Sequence, residues 1–173
     1  MRRLAGWWTR RNPLLRFGVR FCLFFGAAEA WTLTPWCDNS ISFLLASYAK
    51  MTNWVLLALG QHSQAVGAEI QGPAVSLTIK RGCDALDPLM VFCAGVLAYQ
   101  APRKQRSIGL LVGIILIVLT NLARILCLYG IQLRAPALFT IFHIYIWPVV
   151  FLLLVGFLWL RWVRWAASQR PAS

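Results

Sequence analysis

Three side chains of complementary reactivity stand far apart in this chain: Cys83, Arg124 and His143. A thiolate attacks a carbonyl carbon. An imidazole takes and returns a proton near neutral pH. A guanidinium docks a carbonyl, or steadies a developing oxyanion, through its fixed donors. Together they form a complete set for acyl transfer. Cys83 lies in RGCDAL, between Gly82 and a helix start. A helix N-terminus favours a thiolate there, and so do the cations Arg124 and protonated His143. Asp84, next in sequence, opposes them. Asn121 precedes Arg124 by three residues, so the two share one helix face. A polar pair inside a membrane helix points to a protein cavity more often than to lipid.

Each residue also has a plainer reading. Arg124 would snorkel to the interface, and His143 would be a satisfied membrane-edge residue. Cys83 would be a small packed hydrophobe or the disulfide partner of Cys37. With five cysteines, at least one stays unpaired in a monomer. Cys22 and Cys93 fall inside apolar spans and read as packing. Cys127 lies one helical turn beyond Arg124 and is expected to line the same cavity. His62, in GQHSQ, reads as a surface residue. The two histidines are far apart and no CxxC occurs, so no metal site is expected. Phosphate-loop and GxSxG patterns are absent, and no cofactor is expected.

The elements that must hold these residues follow from composition. The chain has 173 residues, 60% of them hydrophobic, with mean hydropathy +0.66. One soluble core could not hide that much apolar surface, whereas a bilayer can face it. The expectation is an all-α polytopic membrane protein: one integral membrane domain over residues 1–173. About four spanning helices are predicted, at 14–36, 84–100, 107–130 and 142–162, the last kinked by Pro148. The insert 37–83 is predicted to hold a helix over 41–60 lying at the interface (the alternative is a fifth span, which would put the two termini on opposite sides), then a small β-hairpin within 64–82 punctuated by Gly67, Gly72 and Pro73. Counted from Ser107, Arg124 lies about 25 Å along its helix, close to one interface. Cys83, Arg124 and His143 therefore sit at the same end of three helices. Neighbouring helices pack about 8–10 Å apart, so their side chains can meet.

The charge pattern orients the domain. Seventeen basic residues face five acidic ones. Most of the basic residues fall in three places: Arg2, Arg3, Arg10, Arg11, Arg16 and Arg20; Arg103, Lys104 and Arg106; and Arg161, Arg164 and Arg170. The acidic residues Glu29, Asp38, Glu69, Asp84 and Asp87 all lie elsewhere. By the positive-inside rule both termini and the 101–106 loop are cytoplasmic, and the three reactive residues face outward. Nucleic acid is not an expected partner, because the basic residues follow the membrane period and form no single patch.

Three stretches then resemble a known family: RGCDALDPLMVF, LTNLARILCLYG and FTIFHIYIWPVVFLLLVGFLWLRW. Cys at the head of one span, N-x-x-R near the end of the next and His-x-Tyr-x-Trp-Pro at the head of the last resemble the exosortase/archaeosortase family of membrane-embedded transpeptidases, most of all the exosortase H group. The likeness is best over residues 64–165. It implies Cys83 as nucleophile, Arg124 as oxyanion or substrate-positioning residue and His143 as acid/base. Asn121, Asp84, Tyr145 and Trp147 are implied to support them or to touch substrate. The implied partner is a secreted protein whose C-terminal signal is a short motif of the I-P-T-L-x-x-W-G kind, one membrane helix and a basic tail. The implied place is the bacterial inner membrane with the site facing the periplasm, and the cut protein passes to an acceptor on the cell surface. All three residues lie on one chain, so a monomer suffices. The family commonly has a small polar residue and then Gly after the Cys; Asp84 and Ala85 stand here instead. Residues 37–82 would form a lid or a motif-reading surface. The competing class is a non-catalytic membrane assembly factor, in which Arg124 and His143 form a structural polar network.

Overall fold

The computed structural model describes residues 13–169. Of the basic residues used to orient the chain, Arg2, Arg3, Arg10, Arg11 and Arg170 lie outside the described residues. Four long helices, one shorter helix (α3) and a small sheet follow one another: α1 (Pro13–Thr32), α2 (Pro35–Ala58), β1 (Gln64–Val66), β2 (Glu69–Gln71), β3 (Ser76–Thr78), α3 (Leu86–Ala98), α4 (Arg103–Arg134) and α5 (Trp147–Ser168). A 3-10 turn (Pro136–Leu138), a short α turn (Phe139–Ile141) and a π turn (Phe142–Ile146) lead without a break into α5. The chain is thus a mostly helical membrane protein with a small sheet.

The predicted first span, 14–36, does not run through. It breaks at Leu33 and Thr34, where the Thr32 and Thr34 hydroxyls donate to the carbonyls of Glu29 and Trp31. A new helix then starts on Pro35, whose fixed φ and missing N–H suit a first turn. That helix, α2, begins six residues before the predicted interfacial segment 41–60. Three helical stretches are long and apolar enough to cross a membrane: Pro35–Ala58, Arg103–Arg134 and Pro136–Ser168. So the segment expected to lie flat has the length and composition of a span. α1, expected to span, carries Arg16, Arg20 and Glu29, and α3 has only 13 residues. The partners of α2 give it a particular setting. Its buried stripe, Cys37, Ile41, Leu45, Tyr48, Ala49, Thr52 and Leu56, packs on the sheet and on one end of α4.

The insert carries three antiparallel strands rather than a two-stranded hairpin, in the order β1-β2-β3. Ile70 and Ile79 enter the α2 core beside Ile125 and Tyr129 of α4. A second core lies between α3, α4 and α5: Phe92, Val96, Ile117, Phe151, Val155 and Trp162. Close approach there depends on missing side chains. A Cβ on Gly113 would overlap the Phe92 ring, and one on Gly109 would overlap the Trp162 indole. Small residues of this kind let membrane helices approach. Trp162 Nε1 also donates to the Gln105 carbonyl at 2.9 Å. α1 joins this half of the bundle by packing on α3 and setting Phe17 against Trp159. The remaining large apolar side chains of α4 and α5, such as Leu111, Leu119, Leu152 and Phe157, point outward, as lipid-facing residues do.

Candidate active site

Cys83 sits in the tight turn between β3 and α3. Its N–H donates to the Lys80 carbonyl at 2.9 Å, closing the turn. Gly82 carries φ +87°, a value that L side chains rarely adopt, so a glycine is needed there. Ala85 is also left-handed, at φ 59°, and is the non-glycine residue with positive φ among those described. It occupies the position where the family pattern has glycine, and it adopts the conformation a glycine would allow. Asp84 is buried and accepts from the Leu86 N–H at 3.2 Å, starting α3.

Two polar side chains of α4 hold this turn by its carbonyls. Asn121, fully buried, donates through Nδ2 to the Cys83 carbonyl at 2.9 Å. Arg124, one turn on, donates through Nη1 to the Gly82 carbonyl at 3.1 Å. The plainer reading of Arg124 as a snorkelling residue fails: it is 5% exposed, and its guanidinium lies 5.8 Å from the Phe151 ring centroid. Removing two turn carbonyls from water without partners would be costly. The N-x-x-R spacing supplies both donors from one helix face.

The other end of Arg124 meets His143. Nη2 lies 3.3 Å from His143 Nδ1 and 3.5 Å from the His143 carbonyl oxygen. The π turn explains why that carbonyl is free. The Trp147 N–H, its α-helical partner, donates instead to Phe142 O. The next residue, Pro148, has no N–H to offer. Arg124 takes the acceptor that the helix leaves over. Because guanidinium only donates, Nδ1 accepts, which assigns the imidazole proton to Nε2. Cys83 Sγ stands 3.6 Å from Nδ1 and 4.0 Å from Nε2. Phe139 stacks on the imidazole with centroids 5.5 Å apart and fixes the ring plane.

The three predicted reactive residues therefore meet in one place, with Asn121 and Asp84 beside them. Cys83 and His143 line a cavity of about 240 Å³ together with Thr78, Lys80, Ile125 and Phe139 among others, whereas Arg124, Asn121 and Asp84 are buried and are not part of its lining. Trp147 packs against Phe151, on the flank of Arg124. Tyr145 is 65% exposed and does not line the cavity. Cys127 lines a different cavity, with Leu56, Gln61 and Arg134. The expectation that it would line the same cavity as Arg124 is therefore not met, although three residues' spacing offsets it by only about 60° around α4. The cysteines are free, and Cys37 is buried in the α2 core, so the expected competing bridge to Cys83 is not formed.

One electrostatic expectation is reversed. The Cys83 thiol is pushed up, not down: burial raises it most, Arg124 pulls it back and Asp84 raises it further. Desolvation of the thiolate outweighs the nearby cation. Sequence reasoning also missed Phe139 and Tyr48. Tyr48 faces Asn121 from α2, yet Tyr48 Oη, Asn121 Oδ1 and Arg124 Nε have no partner with hydrogen-bond geometry among the described residues. Phe139 was findable, since it precedes His143 by four residues on a helical stretch. Tyr48 had no such signal.

The family model described as transmembrane exosortase (Exosortase_EpsH) matches residues 6–160. That match covers most of the chain, and the protein belongs to this exosortase family. Membership carries a membrane transpeptidase-like role in general terms. No curated protein and no solved structure matches the chain.

Proposed function

We propose that the chain is a cysteine-dependent membrane transpeptidase that cuts a C-terminal sorting signal and passes the protein to a surface acceptor. The supporting observation is the Cys83–His143–Arg124 cluster, in which Sγ lies 3.6 Å and Nη2 3.3 Å from the same imidazole nitrogen. In this reading Arg124 Nη2 leaves Nδ1 and keeps the His143 carbonyl, the thiol proton passes to the lone pair so freed, and the sulfur attacks the scissile carbonyl carbon. A C–S bond forms and the carbonyl electrons move to oxygen, where Arg124 offers its donors. The C–N bond then breaks, and the leaving amine takes the proton from His143. The acceptor nucleophile attacks the thioester, gives its proton to the imidazole and releases Cys83. With water as acceptor the same steps amount to hydrolysis.

The substrate class is proposed from the resemblance to exosortases. A secreted protein with a short motif of the I-P-T-L-x-x-W-G kind, a membrane helix and a basic tail enters sideways from lipid. Its scissile peptide comes to rest at the membrane edge. The charge pattern supports an inner-membrane protein with cytoplasmic termini and a periplasmic site. Asn121 and Asp84 hold the nucleophile turn, and Trp147 braces the Arg124 flank. Tyr145, on the exposed face, is a surface against which the substrate helix packs.

The test is co-expression with a tagged protein bearing such a signal, comparing wild type with Cys83→Ala by intact mass. Loss of the C-terminal tail in wild type and an uncut substrate with a folded Cys83→Ala protein support the reading. Equal cleavage by both removes Cys83 as the nucleophile.

A further inference from the structure

The sheet has an edge beside the nucleophile. In the order β1-β2-β3, β3 is bonded on one side only. Its register pairs Gln71 with Ser76, Ile70 with Leu77 and Glu69 with Thr78. The Ile79 N–H donates to the Ala68 carbonyl at 2.9 Å, and the Gly72 N–H donates to the Val75 carbonyl at 2.8 Å. Antiparallel ladders alternate, so positions 75, 77 and 79 turn their backbone groups to β2. Ser76 and Thr78 turn theirs the other way, where no backbone partner meets them among the described residues.

That free edge forms one wall of the cavity containing Cys83 and His143, through Thr78 and Lys80. Ile125 and Leu128 of α4, with Phe139, Leu77 and Ile79, give the same cavity an apolar lining. The Lys80 carbonyl, at the end of the edge, is taken by the Cys83 N–H, so the edge leads directly into the nucleophile turn. β1 has the other edge of the sheet, but none of its residues lines this cavity. An unpaired edge beside an apolar lining is the arrangement used for strand addition. Main-chain bonds give affinity, and pockets for alternate side chains give specificity.

We propose that the substrate segment around the scissile bond binds in extended form as a fourth strand on the free edge of β3, with its alternate side chains against Ile125, Leu128 and Phe139. This rests on the transpeptidase reading and specifies how that site holds its peptide. Main-chain bonds to Ser76 and Thr78 hold such a strand whatever its side chains, and the alternate side chains set the register that brings the scissile carbonyl to Cys83. A folded protein otherwise manages such an edge by keeping it short or charged; β3 has three residues, with Lys80 exposed just beyond it.

The experiment uses the full-length wild-type protein in detergent and a synthetic peptide carrying the I-P-T-L-x-x-W-G signal with its apolar helix. Backbone nitrogens of the peptide are methylated one at a time, and KM and kcat are measured. Strand addition predicts sensitivity with a period of two. Methylation of amides facing β3 raises KM about tenfold or more, while that of their neighbours leaves it within about threefold. A parallel comparison sets Thr78→Pro against Thr78→Val. The proline removes the outward N–H without touching the β2 side and is expected to raise KM well above that of the valine variant, which keeps the N–H and reports any contribution of the hydroxyl. Labelling of Cys83 by a small thiol reagent reports that each variant is folded. Cleavage by wild type with no alternation along the peptide, or an unaltered KM in a folded Thr78→Pro protein, overturns strand addition and leaves the transpeptidase reading intact. A wild type whose Cys83 reacts with the reagent but that cuts no peptide overturns both.

Discussion

Arg124 and His143 meet twice, at 3.3 Å through Nδ1 and at 3.5 Å through the His143 carbonyl. The guanidinium also reaches the Gly82 carbonyl, so one side chain ties the nucleophile turn to the imidazole. Lysine keeps the charge but is a point donor that cannot span both partners. Arg124→Lys is therefore expected to lower kcat about 100-fold with the protein still folded. Turnover of a signal-bearing peptide, beside the thermal unfolding midpoint of the same preparation, checks this.

The pH profile follows from the raised Cys83 thiol. Below its pKa the group is a neutral, unreactive thiol; above it, a thiolate. Alkylation of Cys83 by a neutral reagent should therefore rise at higher pH than for an ordinary exposed cysteine. Asp84→Asn removes a repulsion and shifts the profile to lower pH. Arg124→Gln removes an attraction and shifts it to higher pH. Rates measured across the alkaline range by intact mass decide the sign, and a profile shifted to acid in wild type contradicts it.

Ala85 tests the backbone of the turn. A left-handed alanine costs about 1–2 kcal/mol, and a β-branched residue more. Glycine relieves that strain, but it loses a buried methyl worth about 0.8 kcal/mol and gains freedom in the unfolded chain. Ala85→Gly is expected to lie within about 1 kcal/mol of wild type, and Ala85→Val to be destabilised by about 2 kcal/mol or more. Unfolding in mild detergent separates them.

Much of the site was legible because each reactive residue stands out against an apolar run. Cys83 stands before an apolar run, Arg124 is a charge inside another, and His143 heads a third. What the sequence left out are contacts between distant segments. Asn121 reaches the Cys83 carbonyl 38 residues away, and Tyr48 comes to Asn121 from α2. The reversed thiol shift has the same origin, since burial depends on what surrounds the turn. The boundary at Thr34-Pro35 was written in the chain, but the apolar residues on both sides masked it. The α2 stripe is apolar at helical spacing whether it faces lipid or a sheet, so periodicity alone could not assign its setting.

Gly113 tests how the bundle carries the site. Any side chain there overlaps the Phe92 ring and pushes α4 from α3, and Asn121 and Arg124 move with α4. Gly113→Ala should destabilise the protein by about 1–3 kcal/mol and reduce activity. Phe92→Leu should recover part of both losses when combined with it. A double-mutant cycle on stability and turnover reads the coupling; additive losses would mean the two residues do not compete for space.

The acyl-enzyme is the most direct test of the central claim. Wild-type protein, quenched in acid during turnover of a signal-bearing substrate, is analysed by intact mass and peptide mapping. The expected result is a covalent acyl adduct on Cys83 that hydroxylamine removes and that Cys83→Ala lacks. Substrate cleaved at the wild-type rate by Cys83→Ala, or an adduct mapped to another residue, would contradict the thiol mechanism.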